Sequence, residues 1–306
     1  MAVLATSNVT LPKNIAAGLW KKAETGSAVA VLSGQEPQQF GDVTYMTFNT
    51  RPRAEYVGEG ADKASSTVGF GTKVATPKKV QVTLRFNEEV QWADEDYQLG
   101  ILSECASAAG DALARALDLG VFHRINPLTG TAVTSITEYL TQTTNSVEIL
   151  DGTAGNAPKG PEMEIETAAG LIIADGFVPN GIAFDPSYAW TVATERYADG
   201  RKKFPELGLG TSVSNFMGLN ASTTSTVSAT PEATDTKVKA ILGDWSQLRW
   251  GVQKNVPVEV IKFGDPDGQG DLKRKNQIAL RTEVVYGWAF MDLNAFAKVV
   301  NAVDEA

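Results

Sequence analysis

Residues 51–89 read RPRAEYVGEGADKASSTVGFGTKVATPKKVQVTLRFNEE. In the second half, Val80, Val82, Leu84 and Phe86 alternate with Gln81, Thr83, Arg85 and Asn87. A period of two gives a strand one apolar face. The RPRAEYVGEG arm leads through a small polar segment, Ala61 to Thr67, into this return arm. The whole reads as a long two-stranded hairpin whose outer half is rich in Gly, Ala, Ser and Lys. Two strands alone are marginally stable in water, and a projecting ribbon leaves backbone edges unpaired. The tip has almost nothing apolar to build a core with. A ribbon of this kind is either a mobile flap or is stabilised by another subunit, which turns a liability of the monomer into an assembly contact.

Upstream, Asp42 to Asn49 (DVTYMTFN) alternates as well. Pro12 to Glu24 (PKNIAAGLWKKAE) reads as a short amphipathic helix with Ile15, Leu19 and Trp20 on one face. It is too short to hold itself in water and must dock, either on its own domain or as an arm on a neighbour. Downstream, a long helix is predicted from about Asp94 to His123. Asp94, Glu95 and Asp96 sit where the helix dipole favours acids, and Tyr97, Ile101, Cys105, Ala109, Leu113, Ala116 and Leu117 form a buried stripe. At 1.5 Å per residue it spans about 45 Å, a spine for other elements.

Residues 124–160 are rich in breakers. Pro161 opens a helix that stops at Gly176, Gly181 to Phe184 is a short strand, and Asp185–Pro186 caps a second helix ending near Asp199–Gly200. Residues 206–236 suit loops and edge strands. Val238 to Leu242, Gln247 to Gln253 and Val256 to Phe263 read as strands, and Gly264 to Asn276 as a polar turn. A last strand, Gln277 to Ala289, precedes a final helix capped by Asp292 with Phe296, Val299, Val300 and Val303 inward.

The 306 residues are 43% hydrophobic, enough to bury a sizeable core. No apolar run reaches the length of a membrane span, and Met1 to Lys13 has no basic start, so neither a bilayer helix nor a secretory signal is expected. One cysteine, Cys105, excludes an intrachain disulfide and reads as an inert core thiol. Net charge is −9, which works against gripping nucleic acid through its phosphates. The single histidine, His123, reads as a helix-capping or surface imidazole, and without a second His or Cys the usual zinc sites are excluded. DPDGQGD, Asp265 to Asp271, has the spacing of half a calcium loop, but Asn276 stands where a bidentate Glu is needed, so a solvated turn is expected. Trp245 and Trp250 suit packing into a sheet more than stacking on bases or sugars. No phosphate loop, nucleophile elbow or acid–base constellation is present, so no cofactor, metal or catalytic residue is expected and an enzyme is the least favoured class.

This order of elements resembles the tailed-phage major capsid proteins of the Hong Kong 97 type. Ala54 to Glu89 looks like that family's extended loop. GIAFDPSYAWTVATERYADGR (Gly181 to Arg201) looks like the strand–Asp-Pro–helix of its inserted domain. GDWSQLRWGVQKNVPVEV (Gly243 to Val260) looks like its Gly-Asp-aromatic strand pair, and IALRTEVVYGWAFMDLNAFAKV (Ile278 to Val299) like its closing strand and helix. The resemblance implies an α+β fold with an N-terminal arm and first strand (1–50), an extended hairpin loop (51–89), a peripheral domain with the spine helix (90–160), an inserted axial domain (161–263) and a closing strand and helix (264–306).

It further implies a virion shell subunit that assembles in the host cytoplasm with copies of itself, in pentamers and hexamers around double-stranded DNA bound without sequence specificity. Implied partners are a separate scaffolding protein, a portal and decoration proteins; no membrane is implied. Some members form Lys–Asn isopeptide bonds from a lysine near the loop tip, the place of Lys63, but the residues fix no Asn partner. Acids Glu88, Glu89, Asp94 and Glu95 crowd the hairpin base, and Lys63, Lys73, Lys78 and Lys79 line its outer half. With Glu59 and Trp20 these are the candidate subunit contacts, lysines of one copy near acids of another. Reversing Lys78 and Lys79 to Glu is then expected to impair assembly more than folding. Two rival readings are an encapsulin-type nanocompartment shell and a soluble ligand-binding β-rich protein.

Overall fold

The computed structural model describes residues 27–48, 52–66, 69–89, 95–149, 160–209 and 212–301, with backbone alone for residues 48, 95–103, 256 and 257. The helix expected over Pro12 to Glu24, with Trp20, lies outside the described residues, as does Asp94.

The first described element is a short helix, α1 (Ala28–Leu32), capped by the Ser27 hydroxyl, which accepts from the Ala30 N–H. Strand β1 (Val43–Phe48) and the 18-residue β2 (Phe70–Asn87) precede the spine helix α2 (Glu95–His123). A small ribbon follows, β3 (Ile125–Asn126) with β4 (Thr131–Ala132), then β5 (Ser146–Ile149). Helix α3 (Pro161–Ala174), β6 (Gly181–Phe184) and α4 (Pro186–Thr194) come next. Pro at the first helical position suits both helices, since its missing N–H is an orphan there anyway. Strands β7 (Asn215–Phe216), β8 (Leu219–Thr223), β9 (Val238–Gly243), β10 (Leu248–Ile261), β11 (Gln277–Phe290) and β12 (Phe296–Asn301) complete the described chain.

Two sheets result. Four strands in the order β1-β2-β11-β10 are antiparallel throughout. Six strands in the order β5-β12-β9-β6-β8-β7 form a mixed sheet, with β12 parallel to β5 and β6 parallel to β8. Leu113, Leu117, Val121 and Phe122 of α2 share a core with Trp245, Trp250, Tyr286 and Trp288. Helices α3 and α4 bury Ile165, Ile172, Tyr188 and Val192 against the six-stranded sheet in a second core. Fully buried Trp245 and Trp250 are packing residues, as expected.

Four expectations need correction. The outgoing arm from Arg51 is not the partner of the return arm: Val43–Phe48 is, through Val43↔Ala75 to Phe48↔Phe70. The rest of β2 pairs with β11, from Trp288↔Thr76 to Gln277↔Asn87, so the alternating strand is interior to a sheet. Second, the residues after Asp292 form β12 and not a helix. Asp292 does cap, accepting from the Asn294 N–H, but only a single 3₁₀ turn (Leu293–Ala295). The chain then pairs with β9 and β5, where β-branched Val299 and Val300 fit a pleated surface. Third, α4 stops at Thr194, ahead of the Asp199–Gly200 turn. Fourth, Gln247 to Gln253 and Val256 to Phe263 fuse into β10, with register shifts at Val252/Lys254 and Val256/Glu259.

His123 is neither a surface group nor a cap. It is buried at the end of α2, and Nε2 donates to the Val227 carbonyl at 2.8 Å. Burial drops its pKa to about 4, so the imidazole stays neutral and serves as a tie.

Candidate assembly surface

The paired strands β1 and β2 form a stem. On one face Tyr45, Lys73 and Ala75 are partly or fully covered; on the other Met46, Phe70 and Val74 stand exposed. Thr44 faces Val74, and Met46 faces Thr72, so the exposed apolar groups share one side. Between the strands, every residue from 52 to 66 is exposed and none is in helix or strand. Tyr56 is fully exposed and Val57 is 41% exposed.

The loop is held by few bonds. The Arg53 N–H donates to Ser66 Oγ at 2.9 Å and the Ala64 N–H to Glu55 Oε1 at 2.6 Å. The Ala61 N–H donates to the Gly58 carbonyl at 3.1 Å, closing a turn with Glu59 at its corner and Gly60 at φ +80°. That φ is the position a type II turn reserves for glycine. An exposed apolar stem face and a loop with no core are surfaces that a partner covers.

The candidate contacts separate into two groups. Glu59 and Lys63 are exposed in the loop. Lys73, Lys78, Lys79, Glu88 and Glu89 have partners in their own chain. Lys73 Nζ meets Glu138 at 2.6 Å and Lys79 Nζ meets Glu283 at 2.7 Å. Lys273 Nζ donates to both oxygens of Glu88 at 3.1 Å, and Asn276 Nδ2 to Glu89 at 3.5 Å. Lys78 Nζ lies 4.2 Å from the ring centre of Trp288 and donates to Thr76 Oγ1 and the Thr76 carbonyl, each at 3.0 Å. Burial lowers its pKa to about 8, against weaker support from Asp42 and Glu138. Reversing Lys78 and Lys79 would therefore break the cation–π contact and the Glu283 pair within the subunit. A cost to folding is therefore expected beside the larger cost to assembly. Glu95 opens α2 in the described backbone.

The Asp265–Asp271 segment is filled from within. Arg85 Nε donates to Asp267 at 3.0 Å, and Nη2 reaches Asp267, Asp265 and the Gly270 carbonyl. Hydrogen bonding from Arg85 holds the Asp267 carboxyl below its usual range. The acids that mimic a calcium loop thus close on a guanidinium of β2, which spacing alone could not reveal. Among the described residues no cluster of three or more His, Cys, Asp or Glu side chains could hold a metal ion. Cys105 is half-buried, its thiol pushed up by burial and by Glu104. No described helix is long and apolar enough to cross a membrane.

The family model described as the phage capsid family matches residues 7–301. The chain belongs to the phage capsid family. The capsid protein is similar to a solved chain of Mycobacterium phage Ogopogo, with 47% identity over 90% of this chain and 92% of that one, at a TM-score of 0.80. It is similar to one of Gordonia phage Cozz, with 32% identity over 91% and 87% of the two chains, at a TM-score of 0.76. A chain titled "Capsid of empty GTA particle computed with C5 symmetry" shares the fold at 14% identity, a TM-score of 0.61 and coverage of 91% and 90%. No curated protein matches. The fold is the Hong Kong 97-type capsid fold, and the capsid protein is a major shell subunit of the virion. These matches favour a phage shell over a nanocompartment.

Proposed function

We propose that the capsid protein builds pentamers and hexamers of an icosahedral head around phage double-stranded DNA, in the host cytoplasm and without catalysis. Loop 52–66, exposed along its whole length and carrying Tyr56 and Val57, is the observation that supports a partner outside the chain. In this reading the loop and the arm (1–40) lie across neighbouring copies. Glu59 and Lys63 serve as direct contacts. Trp20, Asp94 and Glu95 lie at the same seam, and Lys73, Lys78, Lys79, Glu88 and Glu89 contribute while keeping their internal partners. The four-stranded sheet with α2 forms the peripheral domain. The six-stranded sheet with α3 and α4 forms the axial domain, so β10, within the expected 161–263 segment, belongs to the peripheral sheet. A net charge of −9 suits containing DNA without adhering to it. A scaffolding protein, a portal and decoration proteins would complete such a head.

Negative-stain images and sedimentation of the purified protein test this reading. Closed shells of uniform diameter are expected, and virion-derived shells should hold DNA with no copurified cargo enzyme. A stable monomer or small oligomer under all assembly conditions would contradict it.

A further inference from the structure

A cleft of about 460 Å³ lies between β2 and residues 135–138. Lys73, Lys78, Glu138 and Trp288 line it, with hydroxyls from Thr76, Ser135 and Thr137. Its polar groups do not balance. Glu138 is taken by Lys73 at 2.6 Å, which leaves the Lys78 ammonium with only the neutral acceptors of Thr76. Beneath it, Trp288 is 4% exposed, and its indole Nε1–H is buried with no hydrogen-bond partner among the described residues.

A buried donor without an acceptor costs on the order of 1–3 kcal/mol. A half-buried ammonium stacked on an aromatic face also favours a carboxylate. Trp288 cannot turn away from the cleft freely, because its ring packs against Gly120 of α2, where a Cβ would lie 2.9 Å from Cη2. The cleft thus holds a fixed ammonium with no carboxylate in ion-pair reach among the described residues, beside an indole N–H with no acceptor.

The same chain carries the complement. In loop 52–66 Glu55 accepts from the Ala64 N–H, but Glu59, at the corner of the Gly58–Ala61 turn, has no partner among the described residues. Among the described residues of one subunit, Glu59 and Lys78 make no contact.

We propose that the cleft receives Glu59 from the loop of a second copy, its carboxylate accepting from Lys78 and from the Trp288 indole. The proposal rests on the shell reading and adds which side chain meets which cleft. A contact between two different patches of one chain is heterologous, and repetition around an axis closes a ring. Five or six copies would then each give one loop and receive one.

Carbodiimide treatment of assembled shells is the test, because this reagent condenses a carboxylate with an amine only where the two touch. Each new amide forms with loss of one water, taken up as the reagent becomes its urea. The expected result is a ladder of covalent oligomers in denaturing gels and a peptide pair joining Glu59 to Lys78. That pair should vanish in Glu59→Gln and in Lys78→Arg shells, and Glu59→Gln should raise the subunit concentration needed for assembly roughly tenfold. Shells that give no such pair, a Glu59–Lys78 link confined to single chains, or a link from Asp62 instead would overturn the proposal and leave the shell reading standing. If either variant fails to form shells, the reversed pair Glu59→Lys with Lys78→Glu decides. Restored assembly supports the contact, and a double variant that folds but does not assemble refutes it. Failure of the unaltered protein to make shells would instead overturn the shell reading.

Discussion

Replacing Asp118 by alanine should destabilise the unassembled subunit by roughly 3–5 kcal/mol, read as a lower denaturant midpoint. Asp118 is on α2 and 1% exposed. Its carboxylate accepts from the Ser27 hydroxyl, from the Val29 N–H at 3.1 Å, from the Ala28 N–H at 3.0 Å and from Thr226 Oγ1 at 3.0 Å. One carboxylate therefore ties the spine helix to the start of α1 and to the 225–227 turn. Alanine would strand two backbone N–H groups and two hydroxyls in a dry site. Each unsatisfied group costs on the order of 1–3 kcal/mol, partly offset because an ionised carboxylate no longer has to be desolvated. Desolvation raises the Asp118 pKa and the four donors oppose that rise. Asp118→Asn should lose about half as much, since one amide oxygen can still accept while the NH₂ faces donors. A loss below about 1 kcal/mol for Asp118→Ala would show that the tie is redundant.

The second large effect concerns assembly. Replacing residues 54–65 with a short Gly–Ser linker should abolish shells and leave the subunit folded. No residue from 52 to 66 is buried, so the deletion removes nothing from either core. Loop-closure entropy changes by only about 0.6 kcal/mol per halving of length, so the unfolding midpoint should barely move. The contact area offered by Tyr56, Val57 and Glu59 would be lost from every copy. Sedimentation should show a folded small species where the unaltered chain gives shells. Normal shells from the trimmed chain would mean that the loop is dispensable. An unfolded product would mean that the loop supports its own subunit.

Several of these features were legible in the residues. Strict alternation in Val80–Phe86 located β2, and the apolar stripe located α2. Proline and Asp-Pro marked the starts of α3 and α4, because helix starts are written in local chemistry. Pairing is not local. Phe296, Val299 and Val300 have helical spacing, yet β9 and β5 supply ladder partners from sequence positions far away, and those partners decide the matter. For the same reason the stem partner of β2 was misplaced by a few residues at Arg51, although Val43–Phe48 alternates too.

The cleft was hidden for a related cause. Lys78 meets Trp288 only because β11 pairs with β2 in a register that sets Trp288 beside Thr76. Asp118 did leave a trace, an acid set between Leu117 and Leu119 of a helix whose other buried positions, His123 apart, are apolar among the described side chains. An ionisable group there needs several donors, and a sequence cannot say from where they come.

In the proposed shell, loop 52–66 finds its partner on an adjacent copy. A reconstruction of the assembled shell at side-chain resolution tests it most directly. Continuous density is expected for residues 52–66 lying on the neighbouring subunit, with Tyr56 and Val57 covered by it. A loop turned back on its own chain, or left facing solvent in the closed shell, would contradict it.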